Sequence, residues 1–222
     1  MTFDTTMAIL TRFSAFCGSN VLSLNGLVMD WHRLDREKTI GMINSVKSAA
    51  EALLFSPVSS EAKCTRLPFY DRFLLYRLTN YSSLPTFSMD FISDGEKFIY
   101  LDGSDAPIHT VNQIGGLTLT PDTVIPYLNF YFLNVRLPEG EVIILKAPEE
   151  AGEIGVYDDE RREDILLIPE CAKIEKDEET GDLKVTAPIY YDGVLMEALM
   201  TGGAEGGVMV QPQKMMAQEG LQ

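Results

Sequence analysis

Leu183-Lys184-Val185-Thr186-Ala187-Pro188-Ile189-Tyr190-Tyr191, followed by Asp192-Gly193 and then Val194-Leu195-Met196-Glu197-Ala198-Leu199-Met200, is the stretch that decides the fold. Leu183, Val185, Ala187, Ile189 and Tyr191 fall on one side of an extended chain, and Lys184, Thr186, Pro188 and Tyr190 on the other. That period of two belongs to a strand with one buried face. Asp-Gly is a strong two-residue hairpin signal, because both residues tolerate positive φ. The next strand must therefore return antiparallel, since parallel pairing needs a long crossover.

Downstream, Gly202–Gly207 reads as a loop, Val208–Val210 as a last short strand, and residues 213–222 as a frayed tail with little to pack. Upstream, Glu141–Lys146 and Ile165–Glu175 read as strands, and Lys176–Asp182 as a polar turn. Residues 141–210 thus predict an antiparallel meander. Ahead of it lies Thr120-Pro121-Asp122, a helix start with a capping threonine and a proline at the first position. Tyr127, Leu128, Phe130, Tyr131, Phe132 and Leu133 make that helix apolar on most faces, so it is expected to be covered. Pro126 either kinks it or begins it, with 121–125 as a preceding turn.

These elements imply an α+β fold in which a central aromatic-rich helix packs on a curved antiparallel sheet. Cystatin-like and NTF2-like cones resemble this arrangement, as an analogy of element order. Before it, residues 97–101 read as a strand ending at Asp102-Gly103. Helices are expected over 5–16, over 39–54 with Thr39 as N-cap, and over 67–79 with Pro68 at the first position. The chain then divides into a mainly helical N-terminal region (1–84), an α+β domain (85–212) and a tail (213–222).

Charge is unevenly spread. The net is −15, yet residues 1–111 hold ten Lys/Arg against twelve Asp/Glu. Residues 139–182 hold sixteen acids and five bases. Such a field acts on solubility, encounter and partner choice, and it repels polyanions, so nucleic acid is an unsuitable partner. The aromatic and basic mixture over 63–81 reads instead as a core helix. Cys17, Cys64 and Cys171 are odd in number and widely spaced, which suits free thiols in a reducing compartment. The apolar stretch from Met7 lacks a basic region before it and is broken by Arg12, so no signal peptide is expected. No run of about eighteen apolar residues marks a membrane span. The expected location is cytoplasmic.

Only two histidines are available. His32 has Asp30 and Asp35 near in sequence, as a base with a carboxylate would. No GxSxG motif accompanies it. Ser104, Asp105 and His109 lie in a loop after a strand and are the right types for acyl transfer, making them the candidate catalytic group. The alternative is a turn held by Asp and Ser side chains. Asp177–Asp182 lacks the ligand spacing of a calcium loop, so no metal is expected. Gly115-Gly116 and Gly202-Gly203 sit in no phosphate-binding pattern, and no cofactor is expected.

Two functions follow as expectations. The first is a non-catalytic protein-interaction module whose acidic face, with Asp158, Asp159 and Glu160 as candidate contacts, takes a basic protein surface. The second is a small-molecule-binding or hydrolytic domain with a pocket between the central helix and the sheet. Tyr127, Tyr131 and Tyr190 would line that pocket.

Overall fold

A computed structural model describes residues 29–46, 54–138, 140–145, 172–191, 194–203 and 205–218. In chain order the elements are β1 (His32–Arg33), α1 (Arg36–Val46), β2 (Ser60–Arg66), β3 (Leu74–Asn80), β4 (Phe87–Ser93) and β5 (Phe98–Tyr100). Then follow α2 (Ala106–Gly115), α3 (Val124–Asn134), β6 (Val142–Ile144), β7 (Lys173–Lys176), β8 (Leu183–Tyr191), β9 (Val194–Gly202) and β10 (Val208–Gln218). The fold is α+β with antiparallel pairing throughout both sheets.

The first sheet has the order β1-β2-β3-β4-β5. Its two faces differ because side chains alternate along each strand. Ala62, Leu78 and Met89 share one cross-strand row and pack, with Phe91 and Phe55, against Met42, Ile43 and Val46 of α1. On the opposite face Leu75 and Ile92 form a buried row that belongs to the main core. Further along that face the rows turn polar. Arg77 donates two hydrogen bonds of 2.8 Å to Asp90, and its guanidinium lies 5.0 Å from the Trp31 ring centroid. Glu61 takes Arg33 at 2.8 Å and Lys63 at 3.1 Å.

The second sheet has the order β10-β9-β8-β6, and β7 also pairs with β8. β8 and β9 pair along their full length, from Leu183↔Gly202 to Tyr191↔Val194, as a two-residue connection demands. Asp192-Gly193 itself lies outside the described residues. Leu183, Val185, Ala187 and Ile189 are all buried, as the alternation predicts, although Pro188 of the outward set is buried too and Tyr191 of the inward set is only half-buried.

The main core joins both sheets to both later helices: Leu75 and Ile92, Ile108 and Val111 of α2, Val124–Phe132 positions of α3, and the inward row of β8 share one apolar cluster. Rings form a chain through it, with Phe69 5.1 Å from Tyr127 and 5.4 Å from Phe130. This cluster draws residues from both sides of Leu84.

Several expectations are corrected. The stretch 67–79 is a turn followed by β3, not a helix. Phe69, Phe73 and Tyr76 fit a helical face, but Leu74–Asn80 pairs on both edges and buries Leu75 and Leu78 on opposite faces. A strand covered on both sides loses the polar alternation that would mark it. Of the first sheet only β5 was expected, as the strand over 97–101; β1–β4 were not. α1 begins at Arg36 with Asp35 as its cap, since Asp35 Oδ1 accepts the Lys38 N–H at 2.8 Å; Thr39 is already inside and donates to Asp35 O. α3 begins at Val124, which puts Pro126 in the first turn, where its missing N–H has no intrahelical partner to lose. β6 pairs with β8 rather than with its successor in sequence, so the meander proper is β7–β10. Residues 213–218, expected to fray, continue β10 along β9 with two register shifts. The expected helix 5–16, residues 47–53 of the second helix and residues 165–171 of the long strand lie outside the described residues.

The three aromatic and aliphatic positions on α3 are unequal: Phe130 is 0% exposed, Phe132 6% and Leu133 43%. Phe130→Ala should therefore lower stability by about 3–5 kcal/mol, while Leu133→Ala should stay within about 1 kcal/mol of wild type. Urea denaturation of the two variants checks this.

Candidate functional site

The 102–109 segment is built by its own short-range bonds. Asp102 Oδ1 accepts both the Ser104 N–H at 2.8 Å and the Ser104 hydroxyl at 2.7 Å. The hydroxyl and N–H of Ser104 together hold the Asp102 carboxyl below its ordinary range. His109 is not in a loop but one turn into α2, where its Nε2 lies 3.4 Å from Asp105 Oδ2. The structure thus brings Asp105 and His109 together on an exposed helix surface, while the Ser104 hydroxyl is directed to Asp102. A nucleophile-base hydrogen bond would need that hydroxyl to face the imidazole. The helix was legible in Asp105-Ala106-Pro107 and Gly115-Gly116, a start with proline in the first turn and a glycine stop; Gly116 takes φ 64°.

Tyr127 and Tyr131 sit side by side on α3 with ring centroids 6.4 Å apart, both buried. Tyr190 stands on the face of β8 opposite the core row, so the strand's pleat separates it from the other two. Tyr127 serves the core. Its hydroxyl donates to Gly206 O at 2.6 Å and accepts from Asn112 Nδ2 at 2.9 Å. Asn112 Oδ1 in turn accepts the Tyr70 hydroxyl, and its Nδ2 reaches Glu205 O at 3.3 Å. Burial pushes the Tyr127 phenol up to about 12 and the Tyr70 phenol up as well, so both remain neutral donors. The composition gave no signal for this network, because Asn112 and Tyr70 are forty-two residues apart in sequence.

The acidic turn between β7 and β8 is ordered by Asp177. Asp177 Oδ1 accepts the N–H groups of Glu179 at 3.0 Å and Thr180 at 3.2 Å, and Oδ2 takes Lys184 Nζ at 2.7 Å. Glu178 and Glu179 are left exposed on the turn. Beside it a shallow cleft of about 250 Å³ is lined by Leu117, Thr118, Leu119, Gly181, Leu183 and Gly202. Small-molecule pockets run from roughly 300 Å³ upward, so this cleft has room for a side chain rather than a cofactor. Asp158, Asp159 and Glu160 lie outside the described residues.

His32 lies 3.5 Å from Asp30 at the exposed edge of the first sheet, and its register partner is Cys64. Burial pushes the Cys64 thiol up, against a smaller pull from Lys38, which leaves it a weak nucleophile. Among the described residues no group of three or more His, Cys, Asp or Glu side chains is placed to hold a metal ion.

Two predictions follow from the network and the turn. A Cβ at Gly206 would lie 2.0 Å from Asn112 Nδ2 and 2.6 Å from the Tyr127 hydroxyl, with φ +80°, whereas one at Gly181 (φ +79°) would meet open space. Gly206→Ala should therefore destabilise by more than about 2 kcal/mol, and Gly181→Ala by only about 1 kcal/mol from backbone strain; thermal melts separate them. The Asp177 carboxyl is lowered from 3.8 to about 2, chiefly by Lys184 and then by the Thr180 and Glu179 N–H groups. A depressed carboxylate favours the folded turn above its ordinary pKa, and that contribution disappears as pH falls through about 2. Lys184→Gln should raise the Asp177 midpoint in a carbon-detected NMR titration; an unchanged midpoint would assign the shift to the backbone N–H groups alone.

Compared with known protein families, curated proteins and solved structures, the chain matches none.

Proposed function

We propose that this chain is a non-catalytic protein-interaction module of the cytoplasm whose acidic C-terminal half receives a basic protein surface. The observation that carries this reading is the turn at Asp177–Asp182, where backbone bonds fix the loop while Glu178 and Glu179 stay exposed. A charged group held on an ordered loop keeps its field in one direction, which favours encounter with an opposite surface. The competing pocket between central helix and sheet is disfavoured by Tyr127, whose ring is fully buried and whose hydroxyl is committed to Asn112 and Gly206. The wrapping of the second sheet about α3 as a cystatin-like or NTF2-like cone belongs to this proposal too, supported by the shared apolar cluster of α3 and β8. Among the described residues no helix is long and apolar enough to cross a membrane.

The test compares two variants of equal charge. One replaces Glu175 of β7 and Glu178 and Glu179 of the following turn by Gln; the other replaces Glu37 of α1 and Glu96 between β4 and β5 by Gln and Asp71 before β3 by Asn. Cross-linking and recovery of bound proteins at low and high salt should show partners lost from the first variant and from the high-salt wild type, and kept by the second. Equal recovery in all arms would make the acidic half a solubility device, and equal loss from both variants would assign the effect to net charge alone.

A further inference from the structure

The end of the first sheet where β2 begins and β3 turns back into β4 differs in composition from the rest of the chain. Neither residues 54–60 nor residues 78–89 contain an acid, a base or a histidine, although the chain carries a net charge of −15. The two stretches are neighbours, because Ser60 pairs with Asn80 and the Tyr81 N–H donates to Ser59 O at 2.9 Å. Each presents an aliphatic side chain outward at its tip. Val58 is 88% exposed and Leu84 98%, and Leu54 and Tyr81 of the same stretches are more than half exposed.

Polar groups of both tips are turned toward each other. Asn80 is buried and bridges the loops: its Nδ2 donates to Leu54 O at 2.7 Å, and its Oδ1 accepts the Ser82 N–H and hydroxyl, each at 2.8 Å. Ser56 O accepts the N–H groups of Ser59 and Ser60, the Ser56 N–H donates to Ser60 Oγ, and Ser83 Oγ donates to Pro85 O. Phe55 and Phe87, with ring centroids 5.2 Å apart, root both tips in the apolar cluster shared with α1. The first charges reached along the strands are already paired, Glu61 with Arg33 and Lys63, and Arg77 with Asp90.

Entry into an apolar medium is costly for charges and for polar groups that still need water, and these tips carry no charge and bond many of their polar groups internally. Side chains this exposed stand out from the surface instead of lining a hollow. Together they offer on the order of a few hundred Å², short of the roughly 800 Å² that each partner gives to a stable protein interface. We propose that the two tips insert into the interfacial layer of a lipid bilayer, with Val58 and Leu84 at the acyl boundary and Tyr81 at the level of the headgroups. The attraction is apolar. With no cation on either tip and a net charge of −15, the surface they take is zwitterionic lipid, because anionic lipid repels the chain. The site shares no residue with the acidic turn at Asp177–Asp182.

Flotation of the full chain with phosphatidylcholine vesicles tests this. Wild type should float with them at low and high salt alike. Val58→Ser combined with Leu84→Ser should keep the wild-type melt, since both side chains touch little, and should lower the partition coefficient at least about tenfold. Leu84→Trp should raise it at least about twofold. Ile114→Ser, which removes an apolar group exposed on α2, should bind as wild type does. Nanodiscs of the same lipid with a spin-labelled headgroup should broaden the amide signals of Val58 and Ser82–Leu84 before those of α2 or β9. Absence of wild-type flotation, or equal flotation of wild type and the double serine variant, would overturn the proposal. So would binding that requires anionic lipid and disappears in salt, or broadening that avoids the two tips. A lipid-independent dimer that the double variant abolishes would also overturn it, by making a second copy of the chain the occupant.

Discussion

The side-chain amide of Asn112 ties together four segments that are remote in sequence. It accepts from Tyr70 before β3, sits on α2, donates to Tyr127 on α3 and reaches the Glu205 carbonyl in the β9–β10 loop. Apolar burial is non-directional, so the shared core favours compaction without choosing how the loop and helices meet. A buried polar cluster whose members all find partners does choose, because each misalignment leaves a desolvated group unsatisfied at about 1–3 kcal/mol. Gly206 is part of the same constraint: its carbonyl accepts from Tyr127 at 2.6 Å, and the space its Cβ would need is occupied by the amide. The loop after β9, and with it the edge of the cleft at Gly202, is fixed from the interior outward.

Charge follows the same division of the molecule. On the first sheet, cations and acids neutralise each other within the sheet: Arg77 with Asp90, and Arg33 and Lys63 with Glu61. On the second, the described ion pair of Lys184 and Asp177 orders a turn on which Glu178 and Glu179 are exposed. The charges on the first sheet's polar face are thus paired within the sheet, while by sequence most of the chain's net negative charge falls after residue 111.

Legibility in the sequence tracked how local the determining physics is. The β8–β9 hairpin was readable because alternation and the Asp192-Gly193 turn agree within the twenty residues of Leu183–Gly202, and the structure pairs it in that register. β3 was not, because its strand character depends on neighbours at Ser60–Arg66 and Phe87–Ser93 that bury both of its faces. α2 carried its start and stop signals in Pro107 and Gly116, but the chemistry-bearing types at Ser104, Asp105 and His109 drew the reading toward a loop. Of the candidate site, the acidic turn was visible as composition. The cleft was not, since it needs Leu117–Leu119 and Gly202 to meet across the fold. β10 was underestimated because its pairing with β9 runs on to Gln218 through two register shifts, which break the period of two in the sequence.

The central claim is that the Asn112 cluster and the shared core make the two sheets one cooperative unit. Trp31 is the sole tryptophan and stacks on Arg77 of the first sheet, so its fluorescence reports that sheet, while amide NMR signals of β9 report the second. Urea unfolding of the wild type and of Asn112→Ala, followed by both signals, tests the coupling directly. The account predicts coincident transitions in the wild type and a joint shift of both to lower urea in Asn112→Ala. Two separate transitions in the wild type, or a shift confined to the β9 signals, would contradict it.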